Sequence, residues 1–251
     1  MDQGGIIGTT WSTLTGRLFA EFVVIVAGVL VALAANAAWE VRSEHQQEAG
    51  YYGALARDVE ADTAEYAIAL RMTGRSLETA TYVRSVILGD PMPTTRPLSQ
   101  ALYYASWVNY PDWSSGTIEE LYGAGTIRLI RDTEIKEALH SYRALVAEWR
   151  PRMQGSEYGA FQNYRRATVG LIPLEAAVAY EATTLGNESV DGIQVDEDAL
   201  ATRIRGDAAL LRETDFMILQ WGSLIILYEE QLAEAVELLD LIKTRVGSGP
   251  G

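Results

Sequence analysis

Phe22-Val-Val-Ile-Val-Ala-Gly-Val-Leu-Val-Ala-Leu-Ala-Ala-Asn-Ala-Ala-Trp39 is an eighteen-residue run without a charge, bounded by Glu21 and Glu40. At about 1.5 Å of rise per residue it measures about 27 Å as a helix, close to the hydrocarbon thickness of a bilayer. Its expected conformation is therefore a single membrane-spanning helix. Trp11, Phe19 and Phe22 at one end and Trp39 at the other stand where amphipathic rings settle at the two interfaces. A cleaved signal peptide is the rival reading, because Ala32-Leu33-Ala34 and Ala35-Asn36-Ala37 both meet the small-residue rule for cleavage. The long leading segment with Arg17 as its one cation, the carboxylate of Glu21, and a helical pattern that continues past Trp39 favour retention.

The two sides of this helix differ. At about 100° per residue, Glu21, Ile25, Gly28, Ala32, Ala35 and Trp39 fall within roughly 40° of one line, and Val23, Val26, Leu30 and Leu33 project the other way. Lipid tails give helices no hydrophobic reason to associate, so close approach over small residues is how they gain packing energy. Gly28-x-x-x-Ala32 is the minimal form of such a surface, and Glu21, Gly28, Ala32, Ala35 and Trp39 are the candidate packing residues. A helix standing alone in lipid is the plain alternative, since alanine is common in such segments. Arg17 and Glu21, four residues apart, have the spacing of an interfacial ion pair.

Outward from the anchor, roughly 210 residues remain, enough for one sizeable core. A net charge of −14 repels nucleic acid and anionic headgroups, so neither is an expected partner. With no cysteine there is no disulfide, thiol nucleophile or thiolate metal site. Arg17 before the anchor and Arg42 and Arg57 after it do not decide the orientation. An anchor near the N-terminus followed by a long, initially acidic segment leads us to expect a bacterial inner-membrane protein with its bulk on the periplasmic side.

The expected fold is all-α: residues 1–16 a flexible segment, 17–39 the transmembrane anchor, 40–246 a long-helix bundle and 247–251 a flexible end. Ser12 or Thr13 is a candidate helix N-cap. Tyr52, Leu55, Val59, Tyr66, Leu70, Leu77, Ala80, Val83 and Ile87 recur at helical spacing, with possible kinks at Gly50 and Gly74 and a stop at Pro91, Pro93 and Pro97. A helix over 98–108 follows. Thr117-Ile-Glu-Glu120 has capping-box spacing, Gly123-Ala-Gly125 ends that helix, and 126–130 reads as extended or irregular. Further helices are expected from Asp132 or Thr133 to Trp149, through Met153, Phe161 and Tyr164, and over 174–183; residues 185–198 read as an acidic loop. Leu211, Ile218, Trp221, Ile225, Tyr228, Leu232, Ala235, Leu239, Ile242 and Val246 form the strongest stripe, spoiled at Thr214, and call for a long partner helix. The helix after the anchor is the natural one. Residues 216–228 are apolar nearly all round yet too few to span a bilayer, which fits a core centre or a protein interface.

Glu21-Phe-Val-Val-Ile-Val-Ala-Gly28-Val-Leu-Val-Ala-Leu33, Asn36 and Trp39-Glu40 together resemble a large bacterial family of single-pass membrane proteins of unknown function. Leu121 through Gly125, Ile127, Leu129-Ile130, Asp132, Ile135, Leu139 and Tyr142 are similar to that family's Leu, Gly, Leu-x-x-Ile and Tyr pattern. The resemblance covers about a third of the chain. It implies a helical, membrane-tethered domain without known activity and supplies no catalytic residue.

Glu137-x-x-His140 has the spacing of half a di-iron carboxylate site, but the other histidine, His45, follows Glu44 directly, so no second half exists. Two histidines leave little room for histidine-based catalysis. Glu119-Glu120, Glu229-Glu230 and Asp196-Glu-Asp198 read as solvated faces, with divalent-cation binding as the lesser alternative, and Gly123-Ala-Gly125 lacks the context of a phosphate loop. Tyr103, Tyr104, Trp107, Tyr110 and Trp113 are candidates for core packing or for a pocket or docking patch. No cofactor, metal or reaction is expected. The expected role is a non-enzymatic accessory subunit packing against other transmembrane subunits in the lipid bilayer, with a ligand-binding sensory bundle as the alternative and a carboxylate-using hydrolase ranked third.

Overall fold

The computed structural model describes the backbone of residues 9–92, 96–114, 116–154, 156–184 and 194–247, and their side chains except at 9–18, 20, 149–158 and 183–184. The elements are α1 (Thr9–Ile87), α2 (Leu98–Tyr104), α3 (Gly116–Gly123), a 3-10 turn (Thr126–Leu129), α4 (Thr133–Gln154), α5 (Ser156–Thr168), α6 (Leu174–Thr184), α7 (Glu197–Ile204) and α8 (Ala208–Gly247). No strand occurs among the described residues, so the chain is all-α as expected. It divides into two compact units, Met1–Tyr51 and Tyr52–Gly251.

In the first unit the apolar run lies within α1, which among the described residues is the one helix long and apolar enough to cross a membrane. None of that run is buried. α1 starts at Thr9, ahead of the expected caps at Ser12 and Thr13, and neither Gly50 nor Gly74 interrupts it.

The second unit is built on two long seams. On α1, burial follows three- and four-residue steps from Tyr52 to Ile87, through Leu55, Val59, Asp62, Tyr66, Ala69, Thr73, Ser76, Ala80 and Val83. On α8 it follows Leu210, Thr214, Met217, Trp221, Leu224, Tyr228, Gln231, Ala235, Leu238 and Ile242. Both are unbroken heptad patterns once polar residues are admitted. Thr214 therefore belongs to the seam, its hydroxyl donating to the Leu210 carbonyl at 2.7 Å. Half of the expected α8 stripe was displaced by one residue: Leu224 and Gln231 occupy the line that Ile225 and Leu232 were expected to fill. The same holds on α1, where Ala69 and Ser76 replace Leu70 and Leu77.

The expected pairing of the two long helices is present. Arg84 Nε meets Asp215 Oδ1 at 2.6 Å and Lys243 Nζ meets Glu60 Oε1 at 3.2 Å, so α1 and α8 run antiparallel with an ion pair at each end. The Ile87 carbonyl accepts the Gly206 N–H at 2.9 Å, tying the end of α1 to the turn before α8. Gly206 sits at φ +72°, left-handed backbone that favours glycine. Asp207 Oδ1 then caps α8, accepting from the N–H groups of Ala209 and Leu210 at 2.9 and 3.0 Å. α4 and α5 pack on α8, and α2 packs on α5, α6 and α7.

Four local expectations are corrected. α2 ends at Tyr104, short of Val108. α3 begins at Gly116, so Thr117 lies inside it, and the Thr117 N–H donates to Asp58 Oδ2 at 3.0 Å: the cap comes from α1 and not from a local box. Residues 126–129 form a 3-10 turn, entered through Gly125 at φ +68°. α4 runs through Pro151 to Gln154, since a proline nitrogen removes only one of the ladder bonds. α7 was missed within the acidic stretch. Asp196 is its N-cap, accepting from Ala199 N at 2.9 Å, and residues 185–193 of that expected loop lie outside the described residues.

Candidate functional site

The anchor presents its candidate packing face fully. Glu21, Gly28, Ala32, Ala35 and Trp39 are all exposed, Trp39 to 73 %. A Cβ added to Gly28 would meet no atom within 4 Å, so a second backbone has room to approach. The opposite side carries Val23, Val26, Leu30 and Leu33, bulky and also exposed. The Arg17 side chain lies outside the described residues, so the Arg17–Glu21 pair does as well.

In the second unit a buried polar network centres on Asp62, 1 % exposed in the α1 seam. Its Oδ1 accepts the Ser114 N–H at 2.6 Å and its Oδ2 accepts the Tyr142 hydroxyl at 2.6 Å. Tyr142 Oη lies 3.4 Å from Tyr66 Oη, and Trp113 Nε1 donates to Tyr66 Oη. Burial raises the Asp62 carboxyl above its ordinary value against the lowering effect of Tyr142 and Ser114, with Asp58 and Asp112 adding to the rise. Burial, then Tyr66 and Asp62, push the Tyr142 phenol far above its usual range, so it remains a proton donor. Perturbed pairs often mark active sites. Here the adjoining cavity is about 50 Å³, well below what an organic substrate fills, so the network's work is to fasten Trp113 and Ser114 to α1.

The expected aromatic group is divided. Trp113 joins the Asp62 network, whereas Tyr103, Tyr104 and Trp107 cluster with Tyr180 of α6, with ring centroids 5.3 to 6.5 Å apart. Beside them Ser99 is fully buried: its N–H donates to Glu197 Oε2 at 2.8 Å, its Oγ donates to Glu197 Oε1 and lies 2.8 Å from Tyr180 Oη. Glu197, expected to be solvated, thus closes α7 against α2. Asp62, Tyr180 and Glu197 were missed as organising residues. Asp62 had a signal, since it stands three after Val59 and four before Tyr66 in a stripe that is otherwise apolar at that end. Tyr180 and Glu197 had none.

Of the remaining candidates, Glu137 and His140 are both exposed on α4. Glu119 is engaged by Arg143 at 3.1 and 3.2 Å, and Arg143 stacks on Tyr122 with its guanidinium carbon 4.7 Å from the ring centre. Glu229 and Glu230 are exposed on α8. No protein-family model matches the chain, and no curated protein or solved structure matches it either.

Proposed function

We propose that this chain is a non-enzymatic accessory subunit, held in the bacterial inner membrane by α1 with its bulk on the periplasmic side, that packs against the transmembrane helices of a larger respiratory, photosynthetic or transport assembly. The observation that carries the proposal is the anchor's uncovered small-residue face over Gly28, Ala32 and Ala35. A second feature supports it. Residues 216–228, apolar nearly all round, bury one side of α8 in the bundle, while Phe216, Leu219 and Ile226 on the other side are 44, 67 and 60 % exposed. An apolar stripe left in the open is the mark of a surface that another protein covers.

Purification in a mild detergent tests this reading. Gly28→Leu with Ala32→Leu is expected to lower recovery of co-purifying membrane proteins roughly tenfold, equivalent to about 1.4 kcal/mol of helix packing. Val23→Leu, on the opposite side, is expected to change nothing. A wild-type chain that runs alone, or a double variant that keeps its companions, would overturn the proposal.

One observation favours the alternative of a ligand-binding sensory bundle. A groove of about 560 Å³ between α1 and α2 is walled by Tyr104 and Trp107 and edged by Arg75, Glu78 and Arg96, a size and mixture suited to a small zwitterion. On this reading a small-molecule screen finds a compound that raises the melting temperature of the wild type by several degrees and has no effect on Trp107→Ala.

A further inference from the structure

Tyr82 Oη donates to the Arg96 carbonyl at 3.3 Å and Ser76 Oγ donates to the Trp107 carbonyl at 2.8 Å, so residues 96–107 run back along α1 and are pinned to it at both ends. Between the pins lies the groove of about 560 Å³. Two helix faces confront one another across it. Met72, Arg75, Ser76 and Thr79 fall within about 100° on α1, as do Gln100, Ala101 and Tyr104 on α2. Ser76, Thr79 and Ala101 are buried and make the floor, Tyr104 and Trp107 are half-buried walls, and Arg75, Glu78 and Arg96 are exposed at the rim. The rim charges are ordered along the groove. Glu78 stands one turn after Arg75 on α1, and Arg96, through its carbonyl on Tyr82, stands about one turn further. Neither guanidinium nor the Glu78 carboxylate has an ion pair or hydrogen bond among the described residues, which leaves two cations on either side of one anion. The floor adds a preference: Ser76 and Thr79 direct their hydroxyl hydrogens to the Trp107 and Arg75 carbonyls, so only oxygen lone pairs remain for a ligand.

We propose that this groove binds a free acidic amino acid, glutamate or aspartate. The Arg75 guanidinium takes the α-carboxylate and Arg96 takes the side-chain carboxylate. Glu78 takes the α-ammonium group, which the acceptor-only floor and the Tyr104 and Trp107 rings also favour. The ligand's order of anion, cation, anion thus meets cation, anion, cation along the groove. An inorganic phosphate or sulfate would set its charge against Glu78 and a floor without donors, and an amine without carboxylates would leave both arginines unmatched. The inference names the ligand for the sensory alternative and rests on that reading, not on the packing face of the anchor.

The test is isothermal titration calorimetry of the full chain in phosphatidylcholine nanodiscs with L-glutamate, L-aspartate, L-glutamine and glutarate. Saturable binding of glutamate or aspartate is expected, with glutamine and glutarate each about tenfold weaker than glutamate, since each lacks one of the charges that the groove matches. Variants assign the pairs. On Arg96→Gln, glutamate and glutamine are expected to bind within about twofold of one another, and on Glu78→Gln the same holds for glutamate and glutarate. These rim side chains are exposed and unpaired, so the ligand-free variants are expected to melt within about 2 °C of the wild type, and lost binding is then not lost fold. No binding of either acidic amino acid, glutamine binding the wild type as tightly as glutamate, or unchanged glutamate affinity in Arg75→Gln/Arg96→Gln overturns the proposal. If only a neutral compound stabilises the wild type and fails on Trp107→Ala, the acidic ligand is wrong and the sensory reading stands; if no compound does, both fall. The accessory reading is decided separately, by the Gly28 and Ala32 variants in the other unit.

Discussion

Trp221→Ala is expected to destabilise the bundle by about 4 kcal/mol, lowering its melting temperature by about 8–16 °C. Trp221 is fully buried at a position shared by the expected and the observed seams of α8. Its ring lies 4.8 Å from that of Phe161 on α5, and its Nε1 donates to the Ala105 carbonyl at 2.8 Å. One side chain therefore joins α8, α5 and the turn after α2. Alanine leaves a cavity that three elements cannot all collapse into and strands the Ala105 carbonyl away from water. Trp221→Phe keeps most of the volume and loses the hydrogen bond, so about half of the loss should be recovered. Thermal unfolding followed by circular dichroism checks both; a shift of less than about 3 °C for the alanine variant would show that Trp221 does not join these elements as argued.

The second large effect concerns Asp62. Asp62→Ala leaves the Ser114 N–H and the Tyr142 hydroxyl without their acceptor in a buried site, a loss of about 3 kcal/mol. Asp62→Asn is expected to restore most of it: the amide oxygen accepts from Ser114, the amide nitrogen donates to Tyr142 Oη, and the Tyr142 proton turns towards Tyr66 Oη, 3.4 Å away. The two variants separate the carboxylate's shape from its charge.

Titration follows from the same site. The Asp62 carboxyl is raised above its ordinary value of 3.8, so between that value and its raised one the folded chain holds more protons than the unfolded chain. Its contribution to stability is complete below the ordinary value and is lost as pH rises through the raised one. The stability of wild type minus that of Asp62→Asn should thus fall with rising pH across the acid range, with a slope of up to about 1.4 kcal/mol per pH unit. Urea titrations of both proteins at several pH values measure this; a flat difference, or one that grows with pH, contradicts the burial-driven shift.

The two long helices were legible because apolar repetition over many turns is a strong signal. Their phase was less so. Following apolar residues selected Ile225, Leu232 and Leu70, and the buried line instead takes Gln231, Thr73 and Asp62, since a seam tolerates a polar side chain wherever the backbone or a neighbouring element can serve it. Short elements were legible in proportion to how local their causes are. The stop at Gly123-Ala-Gly125 stood because a left-handed glycine acts within its own turn. The start of α3 shifted because its cap is Asp58, fifty-nine residues earlier, and α7 went unseen because its acidic residues resemble a loop until Glu197 meets Ser99.

By itself the sequence determined that the chain is helical, that one stretch is apolar and long enough to cross a bilayer, and that this stretch has a small face and a bulky face. These depend only on the period of the helix and the thickness of lipid, which are the same in every protein. Tertiary structure alone decided which side of α8 is core and which is open, that Asp62 sits among two tyrosines and a tryptophan, and that Glu197 closes α7 against Ser99 of α2. Those arrangements depend on which residues distant in sequence come to lie side by side, and no local period encodes that.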